Sequence, residues 1–518
     1  MIHETLKMTA GVCAVFLMLS SPGSAATSFD CRACETAERF YEAREEALAW
    51  TGPANAHLLG DLIEAVRDAS THGLSPEDYH LATLEALDPH IADQDSDELA
   101  TDAYLSLAAH LLAGRLNPVS MEPDWTAARR GRDLAAYLQG AVSSGAIRES
   151  LEALAPAQPG YAVLRDALAH YRALAEEGSW PVVEAGPALR PGDRGPRVAQ
   201  LRARLAATGD IDAASDDAEF FDEALATAVR AFQHRASLEA DGIVGSQTLV
   251  QLNTLVTDRV RQIEANLERW RWLPDDLGRR HIRVNIADYR LEAWNNGVVE
   301  RTHDVIVGQL FRRTPVFSGN MSYLVLNPWW ETPPSLAARD KLPAFRRDPD
   351  AVNRLGFQVI DRSGNLVDPD TIDWVNTPAA GFPYRLRQAP GPLNALGEVK
   401  FMFPNQHNVY LHDTPSRGLF AQRQRNFSSG CVRVRHPLEL AQWVAADADG
   451  WTPERLMTVA GGNTETRVSL ARHIPVHILY STVVPDEVSG VRFLNDIYGR
   501  DQAVLNALSG PPPALETR

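Results

Sequence analysis

The sequence predicts a multidomain α+β protein with a helical domain, a small three-helix module and a β-rich domain that contains an insertion. The chain has 518 residues, which is enough for two to four domains. Apolar residues recur at helical spacing as far as about residue 272. From about residue 280 the hydrophobic pattern changes to period two, which is typical of strands. Pro- and Gly-containing stretches near residues 180–187 mark a linker.

The composition is that of a globular protein with an acidic surface. Hydrophobic residues make up 45% of the chain and charged residues 23%, so an ample core can form. The formal net charge of −17 argues against a nucleic-acid partner bound over the whole surface. A local basic patch at Arg423 and Arg425 remains an alternative binding surface for an anionic partner.

Residues 1–25 are predicted to form a secretory signal peptide. Lys7 precedes an apolar run at 8–19, and small residues at 22–26 offer a cleavage site. The run is short for a membrane span, although an uncleaved anchor remains the alternative. We therefore expect an exported protein that is soluble or loosely membrane-associated, with no other transmembrane segment.

The four cysteines separate into different classes. Cys13 lies in the apolar run, whereas Cys31 and Cys34 follow the signal closely. In an oxidising compartment this pair can close a small disulfide. A redox role lacks the surrounding strand–helix pattern. Cys431 is then the lone thiol of the folded body.

Residues 39–185 predict a helical domain. Ser75 followed by Pro76 is typical of a helix start, with the serine as N-cap. Gly114 stops a helix whose apolar residues recur at helical spacing. Those residues are Ala100, Tyr104, Leu107 and Leu111. No catalytic constellation is visible here, so we expect a packed scaffold.

Residues 187–255 predict three short helices. Gly209 ends the first helix, Asp241 and Gly242 form a turn, and Ser246 is expected to cap the third. Two apolar stripes define the first two helices: Val198, Leu201 and Leu205, then Leu225, Val229 and Phe232.

Residues 275–510 predict the β-rich domain, after a helix at about 257–272. Asn295-Asn-Gly297 is a strong hairpin turn. Residues 331–392 form an insertion rich in proline and charge. Strands are expected at about 282–286, 290–294, 303–308, 316–328, 407–412, 432–434 and 473–480, and helices at 437–444 and 499–508.

The predicted strand at 408–412 places Tyr410 and His412 on one face, with Val409 and Leu411 on the other. Asp413-Thr-Pro then breaks the strand, so His412 lies at a strand end beside a loop.

Cys431 follows His412 by nineteen positions, after the small-residue segment Ser428-Ser-Gly430. Gly430 allows the backbone to bend tightly before the sulfur. A thiol, an imidazole and such a turn are the parts of a cysteine nucleophile with its base. A neighbouring imidazolium stabilises the reactive thiolate. The alternative is a buried structural thiol, against which the polar Ser/Gly-rich setting argues.

The segments Y-L-H-D at 410–413 and S-S-G-C-V-R-V at 428–434 resemble the active-site motif of the L,D-transpeptidases with a YkuD-type catalytic domain. The commoner motif has His where this chain has Ser429. That substitution is similar to the large periplasmic YcbB-like subgroup, and it indicates that His412 is the base.

Other parts of the chain resemble modules of the same subgroup. The glycines and apolar stripes of 187–255 resemble the peptidoglycan-binding domain 1 module, and residues 101–118 resemble the helical scaffold domain. The insertion at 331–392 then corresponds to a capping subdomain over the active site. Whether the module still binds glycan stays open.

The resemblance implies a peptidoglycan L,D-transpeptidase that forms 3-3 cross-links through a cysteine acyl-enzyme and releases D-Ala from a tetrapeptide donor. Cys431 is then the nucleophile and His412 the base. The group that orients the imidazole is either the backbone carbonyl or the carboxylate of Asp413. Backbone N–H groups around Gly430 and Cys431, in the turn with Ser429, are expected to bind the oxyanion. Reaction of the cysteine with carbapenems is also implied.

Substrate contacts are expected from residues around the thiol. Arg433 lies on the same side of its strand as Cys431 and suits a substrate carboxylate. Tyr410 and Ser428 are expected to line the site. Trp330, with its neighbour Trp329, either walls the donor groove or belongs to the core.

The partners implied are peptidoglycan stem peptides and glycan, with other wall-synthesis enzymes as further candidates. No metal, nucleotide or other cofactor is implied. Two rival functions remain: a cysteine-dependent peptidoglycan peptidase with water as acceptor, and a non-catalytic wall-binding scaffold.

Overall fold

The computed structural model describes residues 29–212 and 215–515, and the predicted signal peptide at 1–25 lies outside these ranges. The predicted multidomain α+β class is confirmed. The helices are α1 Cys34–Glu42, α2 Ala56–Asp68, α3 Leu81–Ala86, α4 Gln94–Ala113, α5 Pro118–Met121, α6 Leu134–Ser144, α7 Ile147–Glu152, α8 Pro159–Glu176, α9 Pro196–Ala206, α10 Glu223–Arg235, α11 Ser246–Leu252, α12 Val256–Arg271, α13 Pro334–Leu336, α14 Leu342–Arg347, α15 Ala351–Arg354, α16 Pro437–Val444, α17 Pro453–Ala460 and α18 Asp501–Leu508.

The strands are β1 Arg280–Asn285, β2 Arg290–Asn295, β3 Val298–Gly308, β4 Phe317–Leu326, β5 Trp330–Glu331, β6 Phe357–Ile360, β7 Leu366–Val367, β8 Arg385–Gln388, β9 Val399–Met402, β10 Leu411–His412, β11 Asn426–Ser428, β12 Val432–Val434, β13 Thr466–Leu479, β14 Val483–Asp486 and β15 Gly490–Phe493. Within the described part of the chain, no helix combines the length and the apolarity that a membrane crossing needs.

The N-terminal helices pack around α4, which is buried along nearly its whole length. Its four predicted apolar residues are all buried, and Gly114 follows its end as expected. Ser75 does not cap a helix, because only a short 3-10 turn follows and its side chain makes no capping bond. The backbone carbonyl of Ser75 accepts the N–H of Asp78 at 3.0 Å instead. Cys31 and Cys34 form the predicted disulfide just before α1.

Helices α9, α10 and α11 form the small module around a core of their own. Both predicted apolar stripes are buried in it. The expected cap of α11 is wrong by one position, because Gly245 is the N-cap and Ser246 is already the first helical residue. Helix α12 then connects the module to the β-rich domain.

Eight strands of the β-rich domain close into a barrel. Their order is β2-β1-β13-β4-β9-β10-β12-β3, and β3 pairs with β2 to complete the ring. The β2–β3 hairpin turns at Asn296 and Gly297, both at positive φ, as the sequence predicted. Closure leaves no free sheet edge in the ring, and β11 pairs with β3 outside it.

The strand expected at 407–412 is shorter than predicted, because only Leu411–His412 pairs with neighbours. Asn408 has φ 53°, which breaks the extended backbone before Val409. A short strand with a kink before it places the following loop at the barrel's end, next to the segment that carries Cys431.

The insertion is a compact subdomain. Strands β5, β8, β6 and β7 form an antiparallel sheet, and helices α13 to α15 with the π-helical turn Ala337–Lys341 pack on it. Its core contains Trp330, Phe345 and Trp374. Tyr410 packs against both this core and the barrel core. The insertion therefore contacts the barrel at Tyr410, one of the residues expected to line the active site.

Candidate active site

The two motif segments lie side by side in the barrel. Strands β10 and β12 are parallel, with Leu411 opposite Val432 and His412 opposite Arg433. Leu411 and Val432 are buried in the barrel core, so the alternating residues face outward. The rings of Tyr410 and His412 lie 5.5 Å apart on this outer face. The predicted face assignment of this strand is confirmed.

Cys431 is a free thiol at the start of β12 and is partly exposed. Its Sγ donates to the carbonyl of Asn408 at 3.8 Å. Burial raises the pKa of the thiol, and hydrogen bonds from Tyr410 and the charge of Arg433 offset that rise in part. The thiol is therefore protonated at neutral pH.

The ring of His412 is buried and held by the backbone. Its Nδ1 lies 2.5 Å from the carbonyl oxygen of Asp413, which fixes Nδ1 as the donor and leaves Nε2 to accept a proton. The Asp413 carboxylate points elsewhere: it accepts the Glu398 N–H at 2.9 Å and pairs with Arg417 at 3.3 Å. Of the two orienting groups that the sequence left open, the structure has the carbonyl in contact with the ring.

His412 is flanked by cations on both neighbouring strands. Lys400 of β9 stands opposite it on one side and Arg433 on the other. Burial, followed by the charge of Arg433, lowers the pKa of His412 to about 3. The imidazole and the thiol are therefore both neutral at pH 7, and the expected resting thiolate–imidazolium pair is not supported.

The turn before Cys431 depends on Gly430 and Ser428. Gly430 has φ 116°, a conformation that residues with a Cβ rarely adopt. The Ser428 hydroxyl accepts the Gly430 N–H at 3.1 Å and donates to the carbonyl of Cys431 at 2.5 Å. Ser428 is buried and its hydroxyl supports the turn, while its place among the substrate contacts stays a prediction.

The same hydrogen bond engages one of the two expected oxyanion donors. The Gly430 N–H is already bound to Ser428, whereas no hydrogen bond is formed by the Cys431 N–H within the described residues. The hydroxyl of exposed Ser429 accepts from Arg312 at 3.2 Å. The Cys431 N–H is thus the candidate oxyanion donor.

Trp330 is a core residue of the insertion that also supports the site. It is buried, and its side chain hydrogen-bonds the Tyr410 hydroxyl. Trp329 is half-buried, with the Arg387 guanidinium 4.5 Å from its ring centroid. The structure therefore favours the core interpretation of Trp330 over a wall of an open groove.

Arg433 is half-buried, and its Nε has no hydrogen-bond partner among the described residues. Its side chain lies on the face of Cys431 and His412, as predicted. No group of three metal-ligating side chains occurs in residues 29–212 and 215–515.

The sequence interpretation missed three residues near the thiol. Lys400 has a local signal, since Val399 and Phe401 are buried on either side of it in β9. Arg312 and Asp340 form an ion pair at 2.6 Å between the barrel and the insertion. Neither of these two residues has a local signal in the sequence. Only the tertiary structure brings residues 28 positions apart together beside Ser429.

Comparison with protein families identifies three regions. Residues 35–168 match a scaffold domain, residues 194–252 a "Putative peptidoglycan binding domain", and residues 279–470 the L,D-transpeptidase catalytic domain, YkuD. The last match contains both His412 and Cys431.

Curated relatives agree with these matches. A "Putative L,D-transpeptidase" of Haemophilus influenzae is 39% identical over 244 residues, which cover 47% of this chain and 49% of the relative. The alignment thus spans about half of the relative's length. The N-acetylmuramoyl-L-alanine amidase CwlM of Mycobacterium tuberculosis is 45% identical over 76 residues, 13% of this chain and 19% of that protein.

Among solved structures, an L,D-transpeptidase of Xylanimonas cellulosilytica is similar at 16% identity, with 57% of this chain and 99% of that chain covered and a TM-score of 0.19. The family matches and the Haemophilus relative carry the assignment. The chain therefore contains a YkuD-type L,D-transpeptidase catalytic domain, together with a scaffold domain and a peptidoglycan-binding domain 1 module.

Proposed function

We propose that the protein is an exported, periplasmic L,D-transpeptidase that forms 3-3 cross-links between peptidoglycan stem peptides. The observation that carries this proposal is that the matched catalytic domain contains both the free thiol of Cys431 and His412, whose ring is oriented by the Asp413 carbonyl. The Nε2 of His412 can accept a proton from the thiol as the sulfur attacks.

In the first half-reaction, Sγ of Cys431 bonds to the carbonyl carbon that precedes the terminal D-Ala of a tetrapeptide stem. His412 takes the thiol proton and passes it to the departing D-Ala amine as the amide C–N bond breaks. The N–H of Cys431 stabilises the negative oxygen of the tetrahedral intermediate. The product is a thioester on Cys431.

In the second half-reaction, the side-chain amine of a diaminopimelate residue in another stem attacks the thioester. His412 accepts the proton of that amine and returns one to the sulfur, which restores the thiol. The peptidoglycan-binding module supports action on assembled wall.

Two rival functions are tested by the products. A peptidase uses water as acceptor and yields shortened stems alone, whereas a transpeptidase yields cross-linked dimers and free D-Ala. A wall-binding scaffold yields neither. The experiment is incubation with purified tetrapeptide muropeptides, followed by mass analysis.

Cys431→Ala is the matched control for that experiment. We expect it to form no dimer while it keeps the wild-type melting temperature, because a small, partly exposed side chain is lost. Intact mass after carbapenem treatment should show one adduct on the wild type and none on the variant. A variant that still makes dimers near the wild-type rate would rule out the cysteine acyl-enzyme.

A further inference from the structure

Lysine is rare in this chain, and its positions are informative. Of the 50 basic residues that are Lys or Arg, three are lysines: Lys7, Lys341 and Lys400. Both lysines in the described residues lie near the thiol site. Lys400 stands opposite His412, and Lys341 is the last residue of the π-helical turn of the insertion. Such turns occur frequently at functional sites.

Side-chain contacts lead from Lys341 to the thiol. The Lys341 ammonium lies 5.6 Å from the ring centroid of Trp330 and 5.4 Å from that of Phe357. Trp330 hydrogen-bonds the Tyr410 hydroxyl, and that hydroxyl interacts with Cys431. Side-chain contacts therefore link the Lys341 cation of the insertion, through Trp330, to the tyrosine that interacts with the sulfur, although 90 positions separate Lys341 from Cys431 in the sequence.

Neither Lys341 nor Arg433 has a carboxylate at salt-bridge distance within the described part of the chain. Asp340, the nearest acid in sequence, is bound by Arg312 at 2.6 Å. Burial lowers the pKa of Lys341 and of Arg433. At Lys341 the charge of Asp340 offsets part of the lowering, and the charge of Arg433 adds to it. Two half-buried cations without a carboxylate at salt-bridge distance are unfavourable, and a bound carboxylate would stabilise the charged form of both.

We infer that Lys341 and Arg433 together bind the carboxylate of the amino acid that leaves the acyl donor. This inference rests on the proposed function. In a tetrapeptide donor, the residue whose amine departs also carries the free C-terminal carboxylate. That carboxylate lies one residue from the carbon that Cys431 attacks, so both ends of the leaving amino acid face groups of this site.

The consequence is that the donor site is incomplete without the insertion. The barrel supplies the nucleophile, the base and one cation, and the insertion supplies the second cation. Donors with a neutral group in place of the terminal carboxylate lose the contact with both cations. Glycan hydroxyls are neutral, so a bound glycan would not neutralise the charge of either cation.

The test measures each of two donors with each of three enzymes. The donors are a tetrapeptide with a free C-terminal carboxylate and the same peptide as its C-terminal carboxamide. The enzymes are the full-length wild type, Lys341→Met and the matched control Lys400→Met, and the readout is kcat/KM for release of the leaving group. We expect the wild type to prefer the carboxylate donor about 10- to 100-fold, the range for a charge-assisted hydrogen bond.

Lys341→Met should lose most of that preference, with a fall on the carboxylate donor and little change on the carboxamide. Lys341→Arg should recover part of it. Lys400→Met, which removes a cation beside His412, should change both donors by the same factor. Melting temperatures identify any variant that misfolds.

Equal losses of Lys341→Met on both donors would overturn the inference, because the lysine would then act on the fold. A wild type that turns over both donors equally would also overturn it, whatever the variants do. If the wild type releases nothing from either donor, the proposed transpeptidase function itself fails.

Discussion

Two polar clusters in this molecule, one fully buried and one partly buried, differ in how completely they are hydrogen-bonded. The first joins α12 to the scaffold helices. Glu268 and Arg271 are fully buried and form an ion pair at 2.7 Å. Glu268 also accepts the N–H of Leu116 and the indole N–H of Trp272, and Arg271 donates to the carbonyl of His72.

The second cluster comprises Tyr410, His412, Cys431 and Arg433. Here, among the described residues, the Arg433 Nε lacks a partner and the Nε2 of His412 forms no hydrogen bond. The thiol makes a long 3.8 Å contact with a carbonyl and interacts with Tyr410. The Glu268 cluster satisfies its polar groups with protein, whereas the Cys431 cluster leaves them for another molecule.

The difference teaches how a buried polar cluster can be interpreted. A fully satisfied network rigidifies a junction, and removal of one partner leaves an uncompensated charge. A partly satisfied network costs stability unless a ligand completes it. The comparison therefore predicts that changes in the first cluster affect stability and changes in the second affect turnover.

The largest kinetic effect below complete loss is expected for the base. His412→Ala should slow acylation by about 10²–10⁴-fold, because general acid–base assistance is typically worth that much. The measurement is single-turnover thioester formation. His407→Ala is the matched control, since its ring packs on Phe317 at 4.9 Å and not on the thiol. A fast His412 variant beside an inactive His407 variant would refute the assignment.

Glu268→Ala tests the first, fully hydrogen-bonded cluster. We expect it to lower the free energy of unfolding by about 3–5 kcal/mol, because Arg271 would remain buried without its partner. Denaturant unfolding measures this loss. The rate per folded molecule should stay at the wild-type level, and a variant that is stable but slow would contradict the division between the two clusters.

Arg433→Ala should reduce turnover of tetrapeptide donors by about 10- to 100-fold, since one charge-assisted hydrogen bond is worth about 1.5–3 kcal/mol. Reaction of Cys431 with a small alkylating reagent should fall much less, because that reagent needs no positioning. Arg433→Lys should recover only part of the peptide activity, because an ammonium lacks the planar fork. Equal losses in both assays would mean that Arg433 acts on the thiol or the fold.

The smallest effect concerns the resting protonation state. Burial raises the pKa of Cys431, and the pKa of His412 is lowered to about 3. Alkylation of the thiol should therefore accelerate about tenfold per pH unit from pH 6 to pH 8, because the thiolate fraction grows in that way below a thiol pKa. No inflection is expected near pH 6.5, the ordinary pKa of histidine. A rate that is flat from pH 5 to pH 8 would indicate a preformed thiolate–imidazolium pair.

Local sequence patterns were sufficient for much of the fold and part of the site. Strand alternation correctly assigned the faces of Tyr410 and His412, and Asn296 with Gly297 correctly located a hairpin. Local patterns did not show which polar atom of a serine forms the hydrogen bond. Ser75 contributes its carbonyl and not its hydroxyl, and Ser428 turned inward to bind Gly430.

The sequence by itself determined which residues stand on the outer face beside Cys431, because side-chain direction along a strand follows from its period of two. Only the tertiary structure decided that the Asp413 carbonyl orients His412, that the barrel closes, and that Lys341 reaches the site from the insertion. The physical reason is that pKa values, charge partners and satisfied hydrogen bonds depend on burial and on neighbours distant in sequence. Local periodicity carries no information about either.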